Sequence, residues 1–200
     1  GGEMNISASV YAANPLYINS QITALLPDIE SLHFDVMDGH FVPAYGLNIT
    51  LFQQLKENFD LPIDVHLMVT NPEEWALSFA QMGARYIAVH PESCRDPVSL
   101  LRAIRQRGAK GYLAISTSLS MVDVQPLIAE ADGILILSAP AGGGEFIPEM
   151  LHKAQDIPAD LPVVYDGRMQ KNRFHLLRNQ PHDQVVIGSA LFNSLMPEDK

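Results

Sequence analysis

The chain has 200 residues, with 13 Lys and Arg against 23 Asp and Glu, a formal net charge of −10 at pH 7. An acidic chain without a basic run does not build the phosphate-tracking surface of a nucleic-acid binder. At 47% hydrophobic and 18% charged residues it can bury a sizeable core, and no apolar run approaches the roughly 18 residues of a membrane span.

The length fits one domain over residues 1–200. Cys94 is the single cysteine, which excludes an internal disulfide framework and a multi-cysteine zinc site. The first residues, Gly1-Gly2-Glu3-Met4, carry neither the basic nor the apolar stretch of a secretory signal, so a cytoplasmic protein is expected.

Short β-rich runs alternate with amphipathic stretches. The first run, Asn5 to Val10, precedes a helical pattern near Tyr17 to Leu26. Ser31 to Met37 precedes one near Thr50 to Phe59. Leu61 to Met68 leads to a helix opened by Asn71-Pro72-Glu73-Glu74, with Asn as N-cap, Pro at the first helical position and acid in the first turn. Tyr86 to His90 precedes a helix near Val98 to Arg107, stopped by Gly108. Lys110 to Ile115 leads to a helix near Met121 to Glu130. Gly133 to Leu137 passes through a glycine-rich loop to a helix near Pro148 to Gln155. Leu161 to Tyr165 precedes a helix near Lys171 to Arg178, and Gln184 to Ile187 a last short turn, Ala190 to Leu195.

Eight such units at about 25 residues each predict an α/β fold, a closed (β/α)8 TIM barrel. An open doubly wound sheet is the alternative, but its first turn often carries a glycine fingerprint, and here that turn reads Ser9-Val10-Tyr11-Ala12. Little chain remains for an eighth helix, which is expected to be short or truncated. A barrel without that helix would expose an apolar flank, which predicts a homo-oligomer.

In such a barrel the reactive groups gather at the C-terminal strand ends. Residues two apart on a strand share a face, so His33, Asp35 and Met37 point one way, as do Asp64, His66 and Met68. Asp166 closes the seventh run, and Ser7 and Ser9 are the polar pair on the first. Taken singly, a strand-end His or Asp reads as a turn-capping residue and a Met as core filler. His-x-Asp on one strand with His on the next also suits a divalent transition metal, because buried charges need pairing or a metal. Val186-Ile187-Gly188-Ser189-Ala190 runs from a strand into a helix start, either an anion site of backbone N–H groups or a plain turn. Gly142-Gly143-Gly144 is either a closing lid or a flexible connection.

Asp35-Val-Met-Asp-Gly-His-Phe-Val-Pro43 is a specific string, and with it the chain resembles the ribulose-phosphate 3-epimerase family. The likeness continues in Asp64-Val65-His66-Leu67-Met68, His90-Pro91-Glu92, Glu145-Phe146-Ile147-Pro148 and Gly188-Ser189-Ala190-Leu191-Phe192, with Ile6-Ser7-Ala8-Ser9 as the opening strand. The resemblance implies a barrel enzyme that interconverts D-ribulose 5-phosphate and D-xylulose 5-phosphate. It implies one divalent metal ion, Zn, Mn or Fe, on His33, Asp35, His66 and Asp166, and no organic cofactor. Asp35 and Asp166 match the acid–base pair, Ser9 and His66 residues beside substrate, and Met37 and Met68 the methionines lining the reacting carbons. Gly142, Gly143, Gly167, Arg168, Gly188 and Ser189 complete the implied substrate shell.

The departures lie in that shell. Asp166-Gly167-Arg168 replaces the family's Asp-Gly-Gly, so Arg168 either blocks the phosphate or grips it. Ser116-Thr117 replaces Asn-Pro, and the loop after the sixth strand is shortened to Ala139-Pro140-Ala141-Gly142-Gly143-Gly144. The expectation is a metal-dependent 3-epimerase of a ketose phosphate. The alternative is a non-catalytic sugar-phosphate-binding or metal-binding protein on an epimerase scaffold.

Overall fold

The computed structural model describes residues 4–195. Eight strands run β1 (Asn5–Ser9), β2 (Ser31–Met37), β3 (Ile63–Met68), β4 (Tyr86–Val89), β5 (Lys110–Ile115), β6 (Gly133–Leu137), β7 (Val163–Asp166) and β8 (Gln184–Ile187). Each pairs in parallel with the next and β8 closes on β1, which is the TIM barrel the alternation predicted.

Among the described residues six α-helices lie between or after the strands: α1 (Ile18–Leu25), α2 (Ile49–Asn58), α3 (Pro72–Gln81), α4 (Pro97–Gln106), α5 (Met121–Ile128) and α6 (Ser189–Phe192). Their apolar faces and the outward strand residues form one continuous core around the barrel, with Phe34, Phe52 and Phe79 edge-on or tilted against one another. Asn48, Asp96 and Ser120 cap α2, α4 and α5 by accepting from Leu51, Ser99 and Val122 N–H groups.

Three expectations are corrected. Asn71 does not cap α3 through its side chain; Pro72 and the acidic first turn set that start. The segments expected as helices near 148–155 and 171–178 are 3-10 turns over Pro148–Asp156 and Lys171–Leu176. Their bonds span three residues, as in Met150 N–H to Ile147 and Arg173 N–H to Gln170. Lys171–Leu176 buries no residue, so no apolar face rewards a full α-helix there. The eighth helix is short among the described residues, four residues of α6.

The barrel interior is layered. Strand register sets His33 beside Asp64 and Asp35 beside His66, so Asp64 lies one layer below the histidine–carboxylate level. There Asp64 is fully buried and accepts from Arg85 Nε at 2.9 Å, closing the N-terminal end. Tyr86 and Tyr112 stack at 4.0 Å in the same floor. Gly133 makes room for the Tyr112 ring, since a Cβ there would fall 2.3 Å from it. Above them Ala88, Ala114, Leu135, Val164 and Val186 fill the middle.

The loop after β2 is held by one side chain. Asp38 accepts from the His40 and Phe41 N–H groups at 2.9 and 2.8 Å, and from Thr70 N–H and hydroxyl at 2.8 and 3.1 Å. It thereby ties the β2 loop to the β3 loop at the rim. Desolvation works against its charge, but these donors outweigh it and hold the carboxyl down at about 2, against an ordinary 3.8. A lowered folded value contributes stability at pH above 3.8 that is lost as pH falls towards 2. Asp38→Ala is expected to cost about 1–2 kcal/mol at neutral pH. Acid titrations of the two proteins, followed by circular dichroism, should converge as pH falls to about 2; a constant gap at all pH values would refute the assignment.

Candidate active site

At the C-terminal end of the barrel, β2, β3 and β7 bring four side chains to one point. His33 Nε2 lies 3.1 Å from Asp35 Oδ1 and 3.4 Å from Asp166 Oδ2. His66 Nδ1 lies 3.4 Å from Asp35 Oδ1 and 3.5 Å from Asp166 Oδ2. One donor atom from each residue falls within 4.8 Å of all the others. Period two on β2 and β3 delivers His33, Asp35 and His66, and Asp166 arrives from the last position of β7.

These contacts are close but poorly aligned as hydrogen bonds. Both His33 nitrogens, Asp35 Oδ1 and His66 Nδ1 are buried without a hydrogen-bond partner. Buried polar atoms in a native protein are normally satisfied, so this convergence points to a group that they share. Donors roughly 2.0–2.2 Å from a tetrahedral ion stand about 3.3–3.6 Å apart, close to the spacing seen here. The donor set, two imidazoles and two carboxylates, suits a divalent transition metal. The residues therefore fit the ion that the resemblance implies.

The electrostatics agree. Burial opposes charge on His33 and His66, yet Asp35 and Asp166 outweigh it and raise both histidines above the ordinary value. Burial likewise opposes charge on the carboxylates, yet the two histidines hold both below the usual carboxylate range. A site that attracts protons so strongly also attracts a cation, which would displace those protons on binding.

The cluster forms the floor of a cleft of about 1010 Å³. Asp35 turns its other oxygen, Oδ2, to the Ser9 hydroxyl at 3.2 Å. Met37 and Met68, paired across β2 and β3, form a buried apolar wall with Val42. The rim carries Gly142 and Gly143 after β6, Gly167 and Arg168 after β7, and Gly188 and Ser189 after β8. The residues assigned a metal, catalytic or substrate role from the sequence thus meet at this end, with His33 beneath the cleft surface, whereas Asp64 lies a layer below them.

Rim geometry explains two of them. Gly167 has φ +128°, and a Cβ would fall 2.4 Å from the Ala139 nitrogen, so only glycine fits. Arg168 follows at φ +56°, a left-handed conformation uncommon for such a residue. Its Nε donates to the Gly144 carbonyl at 2.8 Å, while Arg173 lies 3.8 Å over the Phe146 ring and donates to the Arg168 carbonyl. Two arginines therefore tie the glycine-rich loop after β6 to the loop after β7.

Behind His66 lie His90, Glu92 and Ser116, which the sequence marks only through the family resemblance, without a role for any of them. His90 follows β4 and stacks on His66 at 5.0 Å, with its Nε2 2.8 Å from His66 Nε2. Its Nδ1 lies 2.9 Å from the Ser116 hydroxyl, which lies 2.6 Å from Glu92 Oε2. Burial holds His90 below the ordinary imidazole value. Burial alone would raise Glu92, but the nearby His90 ring and the Ser116 hydroxyl bring it down to about 2. The available signal was period two again: Tyr86, Ala88 and His90 share a face, as do Tyr112, Ala114 and Ser116.

A closed parallel barrel with histidines and carboxylates converging under an open cleft at its C-terminal end is the layout of a (β/α)8-barrel enzyme. The comparisons narrow that class. The Ribulose-phosphate 3 epimerase family model matches residues 5–192. The ribulose-phosphate 3-epimerase of Mycobacterium leprae (strain TN) is 31% identical, over 96% of this chain and 89% of that protein. That of Aquifex aeolicus (strain VF5) is 29% identical, over 94% and 90%. The chain belongs to the ribulose-phosphate 3-epimerase family, a family of carbohydrate epimerases.

Solved structures agree on the fold. A mutant tryptophan synthase alpha-subunit from Pyrococcus furiosus superposes with a TM-score of 0.68 at 15% identity, covering 95% of this chain and 88% of its own. Orotidine 5'-phosphate decarboxylase from Pyrococcus horikoshii OT3 gives 0.66 at 15% identity, covering 97% and 94%. Among the described residues, no helix is long and apolar enough to cross a membrane.

Proposed function

We propose that the chain is a metal-dependent 3-epimerase of a ketose phosphate, acting on D-ribulose 5-phosphate and D-xylulose 5-phosphate or a related sugar phosphate. The observation that carries this reading is the meeting of Asp35 and Asp166, from separate strands, at one buried histidine pair beneath the cleft.

Inverting a carbon beside a carbonyl requires a proton to leave one face and another to arrive on the opposite face. Two carboxylates on different strands can serve the two faces, each worth about 10²–10⁴ in rate. Asp35 takes the C3 proton in one direction while Asp166 supplies its replacement, and the roles exchange in reverse. The Ser9 hydroxyl on Asp35 Oδ2 steadies the carboxylate and lies beside the sugar. Met37 and Met68 keep water from the reacting carbons. Held by His33, Asp35, His66 and Asp166, a Zn, Mn or Fe ion would supply positive charge against the negative charge that develops on the sugar oxygens. The remaining chemistry moves only protons, so it calls for no organic cofactor. Gly188 and Ser189 N–H groups and the Arg168 guanidinium, all on the cleft, hold the terminal phosphate.

A second reading, a sugar-phosphate-binding protein without turnover, draws on the altered rim, where Arg168 occupies the position of a glycine and bonds Gly144. Proton NMR in D₂O separates the two. Metal-loaded protein should remove the C3 proton signal of a ketose phosphate and produce its epimer. Binding without exchange, across pentulose and hexulose phosphates, would overturn the epimerase reading in favour of the second.

A further inference from the structure

We propose that Ser116 is a positioning residue for the metal centre, setting the donor atom of His66 through His90; the inference rests on the metal-site reading above. The argument is a count of hydrogens along one chain of contacts. His66 presents Nδ1 to the cluster at 3.4 Å from Asp35. Used as a ligand, that nitrogen carries no proton, so the ring proton sits on Nε2. The Nε2 N–H donates to His90 Nε2, 2.8 Å away. His90 accepts there and therefore carries its own proton on Nδ1. That N–H donates to Ser116 Oγ at 2.9 Å, and the serine hydroxyl donates to Glu92 Oε2 at 2.6 Å. The carboxylate can only accept, so it ends the chain and fixes its sense.

Ser116 is the link that cannot be skipped. Glu92 Oε2 is 3.7 Å from His90 Nδ1, too far for a hydrogen bond. The hydroxyl, acceptor and donor at once, spans that gap. Its own position is fixed from behind, because Lys153 Nζ donates to the Ser116 and Leu119 carbonyls at 3.1 and 2.8 Å. His90 is fully buried, stacked on His66 and 5.0 Å from the Phe41 ring, so its orientation is set by packing and its tautomer by Ser116. Outer partners of this kind orient a ligating imidazole and raise its basicity.

The test is zinc binding by the wild type, Ser116→Ala and Ser116→Thr, with ¹⁵N NMR of the imidazoles in the zinc-loaded proteins. Ser116→Ala should bind zinc about 10–100-fold more weakly, and Ser116→Thr, which keeps the hydroxyl, should restore the affinity. In zinc-loaded wild type the His90 proton should sit on Nδ1 and the His66 proton on Nε2. A His90 proton on Nε2 overturns the proposal with no variant needed. So does Ser116→Ala binding zinc as tightly as wild type, which leaves the metal site itself standing. Wild-type protein that binds no zinc overturns the metal reading and this proposal together.

Discussion

Asp35→Asn is expected to lower epimerisation by at least about 10²-fold, and by up to about 10⁴-fold where proton transfer limits the rate, with the fold retained. Asparagine keeps the shape of the side chain and an oxygen that can face the cluster, but it cannot take a proton. The aspartate also belongs to the cluster that could hold a metal ion, so metal content is measured alongside turnover. The informative comparison is with Asp166→Asn. Each variant keeps one of the two proton-transfer groups. A substrate whose C3 proton faces the surviving carboxylate should exchange that proton with D₂O while keeping its configuration, and its epimer should not exchange at all. Asp35→Asn and Asp166→Asn should therefore exchange opposite epimers. Exchange of the same epimer by both would show that the two carboxylates do not serve opposite faces. Wild-type turnover by metal-loaded Asp35→Asn would remove Asp35 from the chemistry.

This site was largely legible in the sequence because strand geometry is simple. His33, Asp35 and Met37 stand at alternate positions between the apolar Leu32, Phe34 and Val36, and buried strands rarely spend polar residues without purpose. The same rule treats Asp64 and His66 alike, and depth separates them. Register sets Asp64 opposite His33, one layer down, where Arg85 neutralises it. Depth depends on how β2 and β3 are staggered, which no local pattern states. His90 and Ser116 were harder still. Each is a single polar residue ending an apolar strand, and their pairing follows from the curvature that brings β3, β4 and β5 side by side.

The misread segments have a common cause. Pro148–Asp156 carries enough polar and apolar alternation to suggest a helix, and Lys171–Leu176 enough charge to suggest an exposed one. Pro148–Asp156 buries only Leu151 and Ala154 and Lys171–Leu176 buries no residue, so neither presents the apolar face that would reward a full α-helix. Side chains then supply the ties that long helices provide elsewhere in the molecule.

Arg178 is the main one, and Arg178→Ala is expected to destabilise the protein by about 3–5 kcal/mol. The guanidinium reaches both oxygens of the fully buried Asp183, Nε to Oδ2 at 2.9 Å and an Nη to Oδ1 at 3.0 Å. It also donates to the Ile157 and Pro158 carbonyls, each at 3.1 Å, and to Leu161. Asp183 in turn accepts from the Val163 and Gln180 N–H groups, each at 3.0 Å, and so fixes the start of β7. Removing the arginine leaves a buried carboxylate unpaired and strips partners from carbonyls in the same loop. For a chain of this size each kcal/mol shifts the melting temperature by about 2–4 °C, so a fall of roughly 6–20 °C is expected. Arg178→Lys keeps the charge but offers a point donor instead of a planar fork, and should recover only part of the loss. Thermal melts of the three proteins decide it. A melting temperature for Arg178→Ala within about 2 °C of wild type, under 1 kcal/mol on that scale, would mean that packing rather than this hub holds the thin side of the barrel.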